Sequence, residues 1–336
     1  MKRVSQRDIA KMLGVNVSTV SRALRGLEGV SPELRQKIKL LAQEQAYRPN
    51  PFAVSLRYDT TRTIGIIVPD VSFSYYAHIV KHIEAEARKE GYMCIITDSD
   101  ERYEKEVECV DHLMNMHVEG IIMCITRETT DFEHLLQVKE RHIPLVLFDR
   151  AADIDISSVV INDTDSARQV THYLIDNGAR RIAFLGSSNK MKQTADRKHG
   201  YLEALRERNI PIRKELVKCH EATYNSGLSD TQELLDLPEP PDAIIASHGL
   251  LTTSALQIII SRGLRISEEI SLVGYVSDWI SDVTTPRITF VKQNLREIGS
   301  KAFGLLLDQI DGDDRVKRMT VKARLEVRDS TRKALG

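Results

Sequence analysis

GVNVSTVSRALRG, residues 14–26, has the length of a short helix bounded by glycines. Stepped at about 100° per residue from Val17, the side chains of Val20, Ala23 and Leu24 gather between roughly 240° and 340°. Ser18, Ser21, Arg22 and Arg25 gather between roughly 40° and 140°, and Val17 sits at the margin of the apolar stripe. One face is apolar; the other carries hydroxyls and two guanidinium groups with no acid beside them. In isolation such a face reads as the solvated side of an amphipathic helix.

The flanking sequence changes that reading. Upstream, SQRDIAKML (5–13) offers Ser5 as an N-cap with Asp8 three residues on, an acidic form of the capping box. Ile9, Ala10, Met12 and Leu13 follow at helical spacing, and Gly14 supplies the left-handed stop. Only Val15 and Asn16 separate this helix from the next, so the two must cross sharply, as in a helix-turn-helix. Downstream, VSPELRQKIKLLAQEQAY (30–47) begins with Ser31 as cap and Pro32 at the first helical position. Leu34, Ile38, Leu41 and Ala42 give that third helix its apolar stripe. Three short helices around one small core leave the Ser18/Arg22 face outward, and in a helix-turn-helix the second helix enters the DNA major groove.

Charge is distributed to match. Residues 1–60 hold 11 Lys and Arg against 5 Asp and Glu, while the remainder holds 36 against 43. A near-neutral total thus divides into a basic head and an acidic body, the asymmetry of a chain whose small domain meets phosphates.

VSQRDIAKMLGVNVSTVSRALRG, with VSPELRQKIKLLAQEQAYRPNPFAVSLR, resembles the DNA-binding head of the LacI/GalR family of bacterial transcription regulators over about the first 57 residues. The carrying residues include Asp8-Ile9-Ala10, Thr19-Val20-Ser21-Arg22, Val30-Ser31 and Tyr47-Arg48-Pro49. The resemblance implies DNA contacts from Ser5, Val17, Ser18, Thr19, Ser21 and Arg22. In RPNPFAVSLR (48–57), Asn50 can cap and Pro51 can open one or two helical turns. Such a piece is far below the length at which a lone helix becomes marginal in water. Without DNA it reads as a linker. The resemblance implies that two of these hinge helices pair in the minor groove, with Asn50, Ala53 and Arg57 alongside and Leu56 wedged between base steps.

About 275 residues remain, enough for two medium domains with cores of their own. Apolar strand-like runs occur at 63–70, 94–97, 120–124, 144–149 and 158–161, then at 181–186, 216–219, 243–247 and 271–275. Helical stretches such as 75–90, 103–116, 164–177, 194–208 and 249–262 lie between them. This alternation predicts parallel sheets covered on both faces, in two similar α/β subdomains. The expected architecture is an all-α helix-turn-helix head (1–48), a hinge helix and linker (49–60) and an α/β core (61–336). The resemblance makes that core periplasmic-binding-protein-like. Its two parallel-sheet subdomains span about 61–161 with 292–320 and about 162–291 with 321–332, and the chain crosses near 162, 291 and 321. Small ligands then bind outside the carboxyl ends of the strands, in the cleft.

Other function classes find little support. No run reaches the ~18 apolar residues of a membrane span, and the charged N-terminus is no signal peptide. Cys94, Cys109, Cys124 and Cys219 show no paired metal spacing, and Cys94 and Cys124 read as buried thiols. His78 and His82, four apart, lack acidic or thiol partners on their face. No phosphate-binding, metalloprotease or nucleophile-elbow motif is present. The expectation is a cytoplasmic non-enzyme with no metal or cofactor.

Within the cleft, the resemblance places Tyr75 and Tyr76 of PDVSFSYYAHIVKHIE (69–84) at aromatic positions facing the ligand; packing in the core is the alternative. Asp149-Arg150 matches the family's Asp-Arg pair, as ligand contact or as structural ion pair. TADRKHGYLEAL (194–205) carries Arg-x-x-Gly-aromatic and puts Arg197 at the effector-binding arginine, whose planar donors suit hydroxyls, carboxylates or phosphates. Two departures matter: His248-Gly249 replaces an Asn-Asp, and Val276 stands where the family carries a carboxylate that accepts from sugar hydroxyls. Asp278 as acceptor or Trp279 as stacking surface can compensate, though Trp279 also suits a dimer interface or core filler. The resemblance as a whole implies a homodimeric repressor on a pseudo-palindromic double-stranded DNA operator, controlled by a carbohydrate-like effector. The alternative is a carbohydrate-binding or sugar-modifying α/β protein with a non-functional head.

Overall fold

The computed structural model describes residues 4–45, 47, 60–152, 154–188 and 192–333. They divide into two compact units, one ending at Arg62 and one beginning at Thr63.

The first unit holds α1 (Gln6–Leu13), α2 (Val17–Arg25) and α3 (Pro32–Glu44). Ser5 caps α1 by accepting from the Asp8 amide at 3.3 Å, and the Asp8 carboxylate accepts from the Ser5 amide at 2.9 Å. Gly14, at φ 64°, ends the helix in the left-handed conformation that a side chain would strain. Ser31 caps α3, with Pro32 at the first position. Ile9, Ala10, Val20, Ala23, Ile38 and Ala42 form the core of this unit. The Arg35 guanidinium donates to the carbonyls of Gly26 (2.8 Å) and Leu27 (2.5 Å), tying α3 to the end of α2.

The second unit contains two six-stranded sheets. The first includes β1 (Thr63–Val68), β2 (Met93–Asp98), β3 (Ile121–Met123), β4 (Leu145–Phe148), β5 (Ser157–Ile161) and β11 (Arg318–Val321), in the order 11-5-4-3-1-2, all parallel. The second includes β6 (Ile182–Ser187), β7 (Val217–His220), β8 (Ala243–Ala246), β9 (Ser271–Gly274), β10 (Thr289–Lys292) and β12 (Arg324–Glu326), in the order 12-10-9-8-6-7. There only β12 runs antiparallel. The near-continuous apolar strands are buried because helices cover both sheet faces. On the first sheet, α4 (Ser74–Lys89) and α12 (Leu295–Ile310) pack together on one face, and α5 (Tyr103–Asn115) and α6 (Glu133–Glu140) cover the other. On the second, α7 (Asp163–Asp176) and α8 (Lys192–Glu207) pair on one face, with α9 (Tyr224–Leu235) and α10 (Gly249–Ser261) on the other. A short α11 (Asp278–Val283) follows β9.

The chain passes between the sheets three times: from β5 to α7, from β10 to α12 and from β11 to β12. Cys124 is buried, but Cys94 is only half-buried. The reason is that β2 is an edge strand and exposes one side. Among the described residues, no helix is long and apolar enough to cross a membrane.

Candidate functional site

Two surfaces carry the candidate residues. On α2, Ser18, Arg22 and Arg25 are exposed at i, i+4 and i+7, a row along one helix face, and Val17 at the helix start is 41% exposed. Ser5 is exposed and Thr19 half-buried. Ser21 departs from expectation: it is buried, at 5% exposure. Because α2 packs against both α1 and α3, the covered arc is wider than the apolar stripe and reaches Ser21 beside it. Asn50, Ala53, Leu56 and Arg57 lie outside the described residues.

The second surface is a cleft of about 1360 Å³ between the two sheets, reached by Tyr75, Tyr76, Asp149, Arg197, His248, Asp278 and Trp279. On the first wall, Asp149 follows β4 at φ 63°, a left-handed conformation unusual for a residue other than glycine. The Tyr75 hydroxyl donates to its Oδ1 at 2.6 Å. Gln193 Nε2, from the second subdomain, donates to the Asp149 carbonyl at 3.3 Å. Tyr76 is a packing residue at the cleft floor: it is 6% exposed, and its ring meets Phe148 edge-on at 6.4 Å. Arg150 does not pair with Asp149. Its guanidinium grips Glu101 through two bonds, of 2.7 and 2.9 Å, and also donates to the Ile125 carbonyl. Burial pushes the Glu101 carboxyl upward, but these bonds and the Arg127 amide outweigh it and hold it below its usual range.

On the second wall, Arg197 is 5% exposed and held on several sides. Nε donates to Asp163 Oδ1 at 2.7 Å and Nη1 to the Ser247 carbonyl at 2.5 Å, and the guanidinium lies 4.0 Å from the centre of the Tyr275 ring. Burial opposes its charge; Asp163, Tyr275 and Asp149 more than restore it. Burial pushes the Asp163 carboxyl up to about 6 in spite of Arg197. His248 is half-buried ahead of α10, with Nδ1 2.9 Å from Ser247 Oγ. Burial, then the Arg197 and Arg150 charges, push its pKa down to about 3, so it is neutral at physiological pH.

Val276 packs with Ile288 and Phe290 and offers no acceptor. Asp278 is exposed and ion-paired with Lys292 at 2.5 Å, and Trp279 is 55% exposed on the lining. Chemically, the cleft presents a buried acceptor on one wall and a buried guanidinium beside a neutral imidazole on the other, suited to a polyhydroxylated ligand. Sequence reading did not single out Asp163, Glu101 or Tyr275. Tyr275 alone had a local signal, as the aromatic after the glycine in VGYVSDW. No group of three or more His, Cys, Asp or Glu among the described residues can hold a metal ion.

Comparison with known proteins matches this architecture. A family model described as periplasmic binding proteins and sugar-binding domain of the LacI family matches residues 61–329, and one described as bacterial regulatory proteins, lacI family, matches residues 6–50. The transcriptional repressor CytR of Escherichia coli (strain K12) is 28% identical over 92% of this chain and 90% of its own length. Catabolite control protein A of Priestia megaterium is 31% identical over 97% of this chain and 98% of its own. The structure of the lac repressor dimer bound to operator and an anti-inducer superposes with a TM-score of 0.88 at 24% identity, over 99% of this chain and all of that one, a likeness of fold. With one model covering the core, another the head, and relatives aligned over nearly the whole length, this chain belongs to the LacI family of bacterial transcriptional regulators.

Proposed function

We propose that the chain is a homodimeric, cytoplasmic, non-enzymatic repressor whose two heads grip a pseudo-palindromic operator. The observation that carries this is the pairing, in one chain, of an exposed Ser18/Arg22/Arg25 row on the second helix of a helix-turn-helix with a cleft built around buried Asp149 and Arg197. Residues 1–48 form the DNA-binding part, 49–60 the hinge and 61–336 the effector and dimerisation core. Arg22 reads a base edge, while Ser5, Val17, Ser18 and Thr19 tune adjacent contacts. Ser21 supports the helix from inside. In the hinge, Asn50, Ala53 and Arg57 flank the Leu56 wedge.

The effector is carbohydrate-like, in keeping with the sugar-binding description of the core family. Asp149 accepts from its hydroxyls, Arg197 donates to it, and His248 offers a neutral ring nitrogen. Tyr75 orients Asp149, Tyr76 floors the cleft, and Asp278 and Trp279 border it. Because the walls are joined by three crossings, an effector that prefers one closure shifts the spacing of the hinges and the DNA-competent population.

Selection of genomic fragments by the purified protein, followed by gel shift with and without candidate sugars, tests this reading. The expected result is a fragment bound in preference to random DNA and released, or tightened, by one sugar class. Equal binding of all DNA would defeat it and favour a core whose head has lost its role.

A further inference from the structure

Among the described residues, three large aromatic side chains are exposed: Phe73 at 42%, Tyr224 at 39% and Trp279 at 55%. All three line the effector cleft. They come from both walls: Phe73 precedes α4 on the first, Tyr224 opens α9 and Trp279 lies in α11 on the second. The deep groups are polar and buried, with Asp149 at 6% and Arg197 at 5%, while the three aromatics stand on an outer rim that also carries exposed charges, Arg127, Lys292 and Arg324 among them.

An aromatic ring left in water forgoes one of the largest apolar burials a side chain can make. Exposed apolar surface gathered at one place marks a binding site. A sugar ring suits such a rim, because its C–H face is apolar while its edge bears hydroxyls. Ser277 Oγ, buried on this lining, has no partner in the structure and can serve such an edge. The cleft volume of about 1360 Å³ also exceeds the roughly 300–1,000 Å³ of ordinary small-molecule pockets. One ring held by Asp149 and Arg197 would leave the rim bare.

We propose that the effector is a saccharide of at least two rings, the first held by Asp149 and Arg197 and the next stacked on Phe73, Tyr224 and Trp279. This rests on the reading of the cleft as a carbohydrate site. It makes the three aromatics specificity determinants for chain length.

Calorimetric titration of the full-length protein tests it, with glucose, galactose and xylose each set against their own disaccharides (cellobiose, maltose, lactose and xylobiose). The best disaccharide is expected to bind at least about tenfold tighter than its constituent monosaccharides, a difference of about 1.4 kcal/mol. Trp279→Ala and Tyr224→Ala should each remove most of that gain, bringing the disaccharide down toward the affinity of its constituent monosaccharides. Both positions are exposed, and circular dichroism checks the fold of each variant. Equal affinity for mono- and disaccharides overturns the proposal, as does a nucleoside that outcompetes every saccharide. So do variants that change the monomer–dimer equilibrium in sedimentation and leave disaccharide binding intact. A monosaccharide that alone releases operator DNA would refute chain-length selection and keep the proposed function. Failure of every saccharide to bind would remove both chain-length selection and the carbohydrate reading of the cleft, while operator binding is judged separately by the gel shift.

Discussion

Replacing Arg197 with alanine should destabilise the core before it says anything about ligand. The guanidinium neutralises Asp163 at 2.7 Å, and that carboxylate is only 5% exposed. Removing one partner of a buried pair strands the other charge, at a cost of about 3–5 kcal/mol. In a domain of this size that lowers the core's melting midpoint by on the order of 10 °C. The loss depends on pH in a defined direction. Burial raises the Asp163 carboxyl to about 6 even with Arg197 present. The folded core therefore binds a proton that the unfolded chain has already released. This group's contribution is most favourable below its unfolded pKa near 4 and falls as pH rises through 6. Without Arg197, a protonated Asp163 at pH 5 has no charge to strand, so the destabilisation should be smaller at pH 5 than at pH 7. Urea unfolding followed by circular dichroism at both pH values reads this out, and Asp163→Asn in the Arg197→Ala background should recover part of the loss. Destabilisation that is equal at both pH values, or unrelieved by Asp163→Asn, would refute the assignment of Asp163 as the stranded charge.

Arg22→Ala should cost about 1–3 kcal/mol of discrimination between operator and random DNA while leaving most random binding, read by fluorescence anisotropy at fixed salt. His248→Asn should flatten the acid side of the stability profile. A histidine depressed to about 3 contributes stability above pH 6.5 that is lost as pH falls toward 3, so at pH 5 the wild type gives up about 1–2 kcal/mol that the variant retains. Gly200→Ala should disrupt the core by more than about 3 kcal/mol in chemical denaturation. A Cβ there would lie 2.0 Å from the Thr164 carbonyl oxygen, where α8 crosses α7, and no side-chain rotation relieves a clash with backbone.

The head was legible because its signals are local. The Ser5–Asp8 box, the Gly14 stop, Ser31-Pro32 and the 3.6-residue spacing of Val20, Ala23 and Leu24 all act within a turn or two of themselves. The strand–helix alternation of the core is likewise a short-range property, and Arg-x-x-Gly-aromatic marked Arg197 and Gly200 together. What those residues do there depends on neighbours that periodicity cannot name. Arg197 meets Asp163 across 34 residues and the Ser247 carbonyl across 50, and Arg150 turns from adjacent Asp149 to Glu101, 49 residues away. Ser21 is polar by type and lies on the outward arc by angle, yet the way α2 packs against both α1 and α3 buries it. Local backbone and side-chain preferences were enough to mark the three head helices and nine of the core strands. β10, only four residues long, and the edge strands β11 and β12, with exposed Arg318 and Arg324, carry too little apolar signal to be read that way. Which charges pair, which tyrosine packs and which orients a carboxylate, and that three exposed aromatics share one cleft, follow instead from the assembled core, because these depend on distances that exist only once the two sheets face each other.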